Sequence, residues 1–389
     1  MKKRVIILLS GGVDSTASII LLKKKYNIIG AIFIKISNKC YNNEDENIAI
    51  LIANKFKIPF YTILLKHEYN KYILKYFINN YYKGYTPNPD IICNYKIKFF
   101  FLLKKIKFIK YDYIVTGHYA IIKKKNNKYY LYEAKDKKKD QSYFLSKLNQ
   151  KQLSKLKFPL GKYKKKYIRF IVKKYNLINY NKKSTKGICF LGKLSIKKIL
   201  KFKKKGLIKI INNNKISYLY IKNFYYFNFL NINYNIYNSK VIGYHNGSIG
   251  YTRGQRKGLK IGGYKNALYI IDTFVKKNII YVGESIKHNM LYNNALFIKK
   301  KFVNFIDKNF YKKIYKKKII KILSRYRDKQ KLQKSYIINN YKGYIILFKN
   351  KQYSISRGQF LVFQKKNKIL GNGIIDKYNN IKFNEKIFH

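Results

Sequence analysis

The chain has little of several residue types, and each shortage argues against a class of protein. Its 389 residues include three cysteines, Cys40, Cys93 and Cys189. An odd number of cysteines in a chain without a secretion signal predicts no disulfide framework, and the lack of a Cys-x-x-Cys pair or a histidine cluster argues against a zinc site. No run of about 18 apolar residues occurs, so we expect no membrane-spanning helix and a cytoplasmic protein.

Acidic residues are also scarce, with 16 Asp and Glu against 86 Lys and Arg and a net charge of +70. Such a charge is typical of proteins that bind nucleic acids. The alternative is a biased composition, because Lys, Asn, Ile, Tyr and Phe are abundant and Trp is absent, as codons rich in A and T would produce. Charge alone leaves both interpretations open. The seven arginines are more informative, since a guanidinium binds phosphate with a planar fork that lysine lacks.

The most informative stretch that the chain does contain is Ser10-Gly11-Gly12-Val13-Asp14-Ser15. It follows the apolar run 5–9 and precedes a helix-like stretch, 16–25. A strand, a glycine turn and a helix start together form a cradle for phosphate, because the first N–H groups of a helix attract anions. The stretch lacks the lysine of a Walker loop and the third glycine of a dinucleotide fingerprint. It resembles the SGGxDS loop of ATP pyrophosphatases, which implies cleavage of ATP between its α and β phosphates.

The order of elements predicts three domains. Strand-like and helix-like runs alternate in the first half, which is typical of a doubly wound parallel α/β sheet that binds ligands beyond the carboxyl ends of its strands. Residues 141–205 read as helical. Short alternating segments follow from residue 206, among them 269–282, and the last hundred residues read as the strands of a small antiparallel barrel. The predicted domains are 1–205, 206–285 and 286–389, the second being a small central domain.

Two of the four prolines lie in Thr86-Pro87-Asn88-Pro89-Asp90, which predicts a stiff loop and a sharp helix start. We expect Asp90 to cap that helix and Cys93 to lie in its first turn, where the helix dipole favours a reactive thiolate. The alternative is a small buried cysteine. Cys189, in a loop between Gly187 and Gly192, would by itself be read as a core residue, but beside an AMP-forming loop and Cys93 it becomes the better candidate for a sulfur carrier.

Three further motifs are less specific, because each has a structural interpretation. Gly117-His118 follows a predicted strand, where glycine allows close approach to a ligand, although a lone histidine is more often structural. The stretch 139–145 is by itself a solvated charged turn. The Gly-, Tyr- and Arg-rich stretch 250–259 is consistent with RNA binding through backbone contacts and stacking, or with a glycine-rich hairpin.

Six motifs occur in this chain in the order in which they occur in bacterial tRNA-specific 2-thiouridylases. They are SGGVDS, TPNPDIxCNxxIKF, TGHY, KDQSYFL, GICF and YTxGQRKGLxIGG, and the resemblance runs from Arg4 to about Ile375. That family makes 2-thiouridine at the wobble position of certain tRNAs. The resemblance implies the PP-loop ATP pyrophosphatase fold, related to the adenine nucleotide alpha hydrolases, followed by a central domain and a β-barrel.

The resemblance also implies a chemistry and its residues. AMP is transferred from ATP, with Mg²⁺, to the C2 oxygen of uridine, and a persulfide on Cys189 then supplies sulfur while Cys93 acts as nucleophile or partner. The partners implied are tRNA and a persulfide-donating relay protein, with neither membrane nor DNA involved. A resting disulfide between the two cysteines requires Cα atoms within about 7 Å. The implied ATP contacts are Leu8, Leu9, Ser10, Gly11, Gly12, Val13, Asp14, Ser15, Ile34 and Gly117. The implied tRNA contacts are Asn88, Pro89, Asp90, His118, Lys139, Asp140, Gln141, Arg325, Tyr326 and Gln359.

Two other functions remain as alternatives. A different ATP pyrophosphatase, such as a tRNA lysidine synthetase or an amidotransferase-type ligase, would not need Cys93 or Cys189. A degenerate tRNA-binding protein would bind tRNA in a salt-sensitive way without releasing AMP. We favour the thiouridylase, because Asp14 and both cysteines are present, and we expect Arg325→Ala to weaken tRNA binding but not ATP binding.

Overall fold

The computed structural model describes residues 1–36, 43–182, 200, 204–212, 219–220, 226–229 and 239–382. Cys40, Cys189 and the whole GICF motif, 187–190, lie outside these ranges.

Residues 1–36 and 43–182 form the α/β fold that the alternating pattern predicts. Its strands are β1 (Arg4–Leu8), β2 (Asn27–Lys35), β3 (Phe60–Leu64), β4 (Tyr113–Val115), β5 (Ala120–Lys125), β6 (Lys128–Glu133) and β7 (Leu156–Lys157). Five of them pair in parallel in the order β3-β2-β1-β4-β7. Strand β7 corrects the expectation that residues 141–205 are helical, because Leu156–Lys157 completes the edge of this sheet.

The helices cover both faces of the parallel sheet. They are α1 (Val13–Leu22), α2 (Asn43–Lys55), α3 (Lys66–Tyr69), α4 (Lys75–Tyr82), α5 (Pro89–Cys93), α6 (Leu102–Lys105), α7 (Ser142–Leu145), α8 (Gln150–Ser154) and α9 (Lys165–Lys174). Two π-helical stretches, Asn70–Leu74 and Asn94–Phe101, join α3 to α4 and α5 to α6. Successive residues of β1 pack on opposite faces of the sheet: Ile6 packs in the core formed with α5 and α6, and Ile7 packs in the core formed with α1 and α2. This is expected of a parallel strand that is covered by helices on both faces.

A four-stranded sheet forms the central region. Its strands are β8 (Lys205–Ile210), β10 (Lys240–Asn246), β11 (Leu268–Phe274) and β12 (Ile279–Glu284), in the order β10-β8-β12-β11. The predicted single segment 269–282 is therefore wrong, since the chain reverses at Asn278, whose φ of +52° is left-handed. A short strand β9 (Leu219–Tyr220) pairs with β21 (Ile381–Lys382) near the carboxyl end.

The C-terminal strands form the predicted antiparallel β-barrel domain. They are β13 (Tyr292–Lys299), β14 (Val303–Phe305), β15 (Ile319–Arg325), β16 (Gln333–Asn340), β17 (Gly343–Tyr353), β18 (Phe360–Lys365), β19 (Lys368–Ile374) and β20 (Lys377–Asn379), with helix α10 (Lys308–Lys317) between β14 and β15. The sheet order is β20-β13-β17-β16-β15-β18-β19-β6-β5, with β14 on β19.

The hairpin β5–β6 comes from the first half of the chain but extends the barrel sheet. Ile369 and Lys368 of β19 pair with Leu131 and Tyr132 of β6. The N-terminal domain thus shares a sheet with the barrel. None of the helices within the described ranges is both long enough and apolar enough to span a bilayer.

Candidate active site

The loop between β1 and α1 has the geometry of a phosphate cradle. Gly11 has a φ of +68°, and a Cβ there would overlap the carbonyl oxygen of Asp45 at the start of α2. Ser15 Oγ donates to the Gly12 carbonyl at 2.9 Å and accepts from the Ser10 N–H at 3.2 Å. Glycine is therefore required at position 11, and the serine hydroxyl closes the loop onto the helix start.

Helix α1 begins without a capping side chain among the described residues. Its N-cap is Gly12, whereas Asn149 caps α8 and Asp307 caps α10 through their side chains. The first N–H groups of a helix have no partner within it, and together with the helix dipole they attract anions such as phosphate. The local sequence therefore leaves this helix end open to an anion.

The predicted nucleotide residues meet at the carboxyl ends of β1, β2 and β4. The N–H of Leu9 donates to Ile32 O at 2.9 Å, which sets the end of β1 beside β2 and hence near Ile34. Gly117, just after β4, packs on the first turn of α1, where a Cβ would lie 2.6 Å from the carbonyl carbon of Asp14. The structure thus brings the loop 8–15 and Gly117 into contact.

The carboxylate of Asp14 has two partners that the sequence did not single out. Tyr119 Oη donates to Asp14 Oδ1 at 2.9 Å, and Lys165 Nζ donates to the same oxygen at 2.5 Å. Burial and the Asp14 charge raise the pKa of Tyr119, so this phenol stays protonated and donates. Lys165 has no distinguishing signal in the sequence, because it is one of 86 lysines and arginines. The nearest local signal is Pro159, which begins the helical turn Pro159–Lys162 that precedes α9.

Asn179 and Lys182 lie against the same loop. Asn179 Nδ2 donates to Gly11 O at 3.0 Å and to Thr16 Oγ1 at 2.9 Å, and it is 2% exposed. Lys182 pairs with the carboxylate of Asp45. The last described residues before the segment that carries Cys189 are therefore held beside the phosphate loop.

Asn88, and not Asp90, caps the helix that carries Cys93. Asn88 Oδ1 accepts from the Ile91 N–H at 3.2 Å, and Pro89 occupies the first helical position. The fixed φ of proline suits that position, so the cap must be the residue before it, and the expectation for Asp90 is wrong. Asp90 lies in the first turn instead, where its charge still complements the helix dipole.

Cys93 is the last residue of α5, one position beyond the first turn, and its exposure is 0%. It lies in the same apolar cluster as Leu8, Ile34 and Ile36, from the nucleotide-side ends of β1 and β2. The π-helical stretch begins at the next residue, Asn94. The structure therefore weakens the argument that the helix dipole favours a Cys93 thiolate, because that argument placed Cys93 in the first turn.

His118 is held by its neighbours near this site. Its Nδ1 lies 2.6 Å from Thr116 Oγ1, and its ring makes edge contacts with Phe99 and Phe158. Burial, reinforced by the charge of Lys98, holds the pKa of His118 well below its usual value, so the imidazole is neutral at neutral pH. A contact with tRNA at this residue would therefore be a hydrogen bond or a stacking contact without charge.

Asp140 and Arg325 are predicted tRNA residues that contact each other. Asp140 is 3% exposed and accepts from the Ala134 N–H and from Ser142 Oγ. Arg325 is 6% exposed and donates to Asp140 Oδ2 at 2.8 Å. Tyr326, at 2%, is also interior. These three residues join the N-terminal domain to the barrel, and their contact with tRNA remains a prediction.

The two neighbours of Asp140 in the sequence lie nearer the surface than Asp140 does. Lys139 and Gln141 are half-buried, and Gln141 Oε1 accepts from the Tyr119 N–H at 3.0 Å. Gln141 thereby ties the KDQ segment to the tyrosine that contacts Asp14.

Gln359 lies on a barrel loop that touches the proline loop. The Thr86 N–H donates to Arg357 O at 2.7 Å, and a Cβ on Gly358 would lie 2.8 Å from that of Tyr85. Gln359 Oε1 is buried and has no hydrogen-bond partner among the described residues. The loop of Gln359 therefore contacts the segment that directly precedes Asn88, Pro89 and Asp90. In the sequence, 270 positions separate Gln359 from Pro89.

Arg253 of the glycine-rich stretch has an interior place. It is 6% exposed, donates to the carbonyl oxygens of Ile271, Ile355 and Met290, and stacks on Tyr378 at 4.3 Å. The RNA-clamp interpretation is thus wrong for this arginine, which ties the central sheet to the barrel. Arg256 and Lys257 are exposed on the same loop.

Within the described part of the chain no group of three or more His, Cys, Asp or Glu side chains could hold a metal ion.

Three domain models match the chain in order. They are the tRNA methyl transferase HUP domain at residues 3–193, the tRNA methyl transferase PRC-barrel domain at 232–284 and the aminomethyltransferase beta-barrel domain at 300–375. Full-length relatives match too. A tRNA-specific 2-thiouridylase MnmA of Karelsulcia muelleri is 44% identical over 96% of this chain and 99% of the relative. Proteins of the same name from Christiangramia forsetii and Mycoplasmopsis synoviae are 37% and 38% identical, covering 96% and 97% of this chain and 100% and 96% of the relatives.

Proposed function

Since the chain belongs to the family of tRNA-specific 2-thiouridylases, which are tRNA sulfurtransferases, we propose that it converts a wobble uridine of tRNA to 2-thiouridine by an adenylated intermediate. ATP is the activating substrate, and AMP and pyrophosphate are released. The observation that carries the proposal is the uncapped start of α1, flanked by Gly117 and by the segment that leads to Cys189.

The nucleotide site follows from the loop geometry. Backbone N–H groups of the α1 start bind the phosphates, and the close approach of Gly117 leaves no side chain between β4 and the loop. Leu8 and Ile34, which are 9% and 7% exposed at the ends of β1 and β2, would contact the base and ribose with their exposed edges. Leu9 is 1% exposed and packs in the core on the other face of the sheet, so it would contact the nucleotide through its backbone. Bound Mg²⁺ would neutralise phosphate charge, with Asp14 as its carboxylate ligand from this loop.

The activation step is chemically required, because the C2 oxygen of uridine is a poor leaving group. This oxygen attacks the α phosphorus of ATP, and the bond from that phosphorus to the bridging oxygen breaks with its electron pair leaving on pyrophosphate. Sulfur then attacks C2, and AMP leaves with the former C2 oxygen. Two thiols suit this step. The outer sulfur of the persulfide on one thiol forms the bond to C2, and the second thiol then attacks the inner sulfur, so that the S–S bond to the transferred sulfur breaks and a disulfide between the two thiols forms. An external thiol reduces this disulfide before the next turnover.

We assign the persulfide to Cys189 and the second thiol to Cys93. Cys189 lies seven residues beyond Lys182, which is paired with Asp45 beside the loop, so the intervening chain can reach about 25 Å at most. Cys93 lies in the apolar cluster beneath the strand ends. A sulfur relay protein supplies the persulfide, and the reaction takes place in the cytoplasm, where its tRNA substrate is found.

The target base reaches this site after it is flipped out of its stack. Asn88, Pro89 and Asp90 begin the helix that carries Cys93, and the adjoining loop contacts the barrel loop of Gln359. A tRNA that touches both loops would present its wobble base to the thiols.

The test is mass spectrometry of tRNA nucleosides after incubation with ATP, Mg²⁺ and a persulfide donor. We expect 2-thiouridine from the intact chain and none from Cys189→Ser or Cys93→Ser, both of which keep ATP binding. Cys40→Ser is the matched control and should retain full product. Undiminished 2-thiouridine from Cys189→Ser would overturn the assigned roles, and its absence from the intact chain would overturn the function.

A further inference from the structure

We propose that Lys165 binds the β and γ phosphates of ATP and stabilises the pyrophosphate as it leaves. This assignment rests on the proposed function, since it concerns the same loop. It adds a residue that neither the motifs nor the family resemblance singles out.

Lys165 places a cation at the phosphate loop. It is the first residue of α9 and reaches across to the first turn of α1, where its Nζ lies 2.5 Å from Asp14 Oδ1. Its side chain is 11% exposed, while its neighbours Lys164 and Lys166 are exposed. Lysine is seldom buried without a reason, so this residue differs from the solvated lysines around it.

The backbone holds Lys165 in this position. Its N–H donates to Asp136 Oδ2 at 2.9 Å. The preceding turn is fixed at Gly161, whose carbonyl accepts from the Lys135 N–H at 2.8 Å and where a Cβ would overlap the carbonyl of Ala120. The ammonium group is therefore delivered by a rigid segment, as a group that binds a reacting phosphate should be.

Neutralising Asp14 is not sufficient to explain Lys165. The same carboxylate oxygen accepts from Tyr119 Oη at 2.9 Å, and Asp14 lies in the first turn of a helix, where the dipole already favours an anion. Arg169 and Lys139 also act on Lys165 electrostatically. Asp136, which accepts from the Lys165 N–H, adds a second carboxylate to Asp14, but three cations, Lys165, Arg169 and Lys139, face this pair, and a polyphosphate would balance the remaining positive charge.

The step needs no proton from Lys165. When the bond between the α phosphorus and the bridging oxygen breaks, negative charge grows on that oxygen and remains on pyrophosphate. An ammonium group already aimed at the loop stabilises this charge without reorganisation. If Asp14 turns to Mg²⁺ on nucleotide binding, Lys165 exchanges its carboxylate partner for phosphate oxygens.

The experiment measures binding of pyrophosphate and of AMP to the full chain by calorimetry in metal-free buffer, without tRNA. We expect Lys165→Met to weaken pyrophosphate binding by about tenfold or more, as loss of a charge-assisted contact implies. AMP lacks the β and γ phosphates, so its affinity should change less than about threefold. Lys166→Met, on the exposed side of the same helix, should change neither affinity.

A second background separates phosphate binding from simple pairing with Asp14. In Asp14→Asn the carboxylate is gone, so a lysine that only neutralised it would become dispensable. We expect Lys165→Met to weaken pyrophosphate binding in this background as well, and Lys165→Arg to retain most of it. Unchanged pyrophosphate affinity in the double variant, or equal loss of AMP and pyrophosphate, would overturn the assignment. An intact chain that binds neither ligand would instead count against the proposed function.

Discussion

Arg325 Nη2 lies 2.8 Å from Asp140 Oδ2, and this buried ion pair crosses from the barrel to the N-terminal domain. Glu133, on the hairpin that enters the barrel sheet, lies 3.8 Å from the same guanidinium. Removal of Arg325 would leave Asp140 without its cation, whereas Glu133 would keep Lys137, whose Nζ lies 2.6 Å from its Oε2. The ion pair therefore holds the two domains together, independently of any contact that Arg325 or Asp140 makes with tRNA.

We predict that Arg325→Ala lowers the free energy of unfolding by about 3–5 kcal/mol, because it removes the cation that pairs with the buried Asp140 carboxylate. Urea unfolding measures this loss. Arg256→Ala, at an exposed position, should change stability by less than about 0.5 kcal/mol.

Arg325→Ala also tests the expectation that this residue contacts tRNA, which comes from the family resemblance. If Arg325 serves only tRNA, tRNA binding falls and ATP binding does not. The buried pair instead predicts that both fall, since the domains lose their fixed orientation. Unaltered stability together with selective loss of tRNA affinity would show that the ion pair has no structural role.

Gly117→Ala should abolish ATP binding while leaving most of the fold intact. The added methyl group would lie 2.6 Å from the Asp14 carbonyl carbon and 2.7 Å from the Ser15 nitrogen, so the first turn of α1 must move. Gly262→Ala is the matched control, since a Cβ there meets nothing within 4 Å. Nucleotide titration monitored by fluorescence or calorimetry gives the comparison, and equal ATP affinity in both variants would contradict the placement of β4 against the loop.

Asn88→Ala should destabilise the start of the Cys93 helix by about 1 kcal/mol, because the Ile91 N–H loses its cap. Asn88→Asp keeps an acceptor and should retain most of the stability. Hydrogen exchange at the Ile91 and Ile92 amides reports the local change. Identical exchange in the two variants would argue against Asn88 as the cap.

The sequence predicted those parts of the fold in which local signals agree with tertiary packing. The apolar run of β1 and the glycine turn after it led to the phosphate loop, and the carboxyl-end rule placed Gly117 beside it. The cap at Asn88 was missed because acidic Asp90 was weighed above the preference of proline for the first helical position. Residues 269–282 were read as one segment because the left-handed turn is formed by Asn278 without a glycine.

Local sequence patterns could not predict which residues far apart in the sequence contact each other. Asn126 and Asn127 both have positive φ, and such a pair is a hairpin signal that predicts β5–β6, but nothing local shows that the hairpin joins the barrel. Arg325 was assigned to tRNA from the family resemblance, and Arg253 belongs to a stretch with an RNA-binding or a hairpin interpretation, yet both side chains are interior. Lys165 has no local signature, because lysine is common throughout the chain and only the fold brings this one to Asp14.

The pairing of β6 with β19 also constrains how the protein is made. Tyr132 and its partner Lys368 are 236 positions apart, so at about 5–20 residues per second the ribosome needs about 10–50 s to supply the partner strand. During this interval the edge of the hairpin is unpaired and able to pair with other chains. A shortened chain that ends before residue 368 would lack the strand that covers this edge of the hairpin.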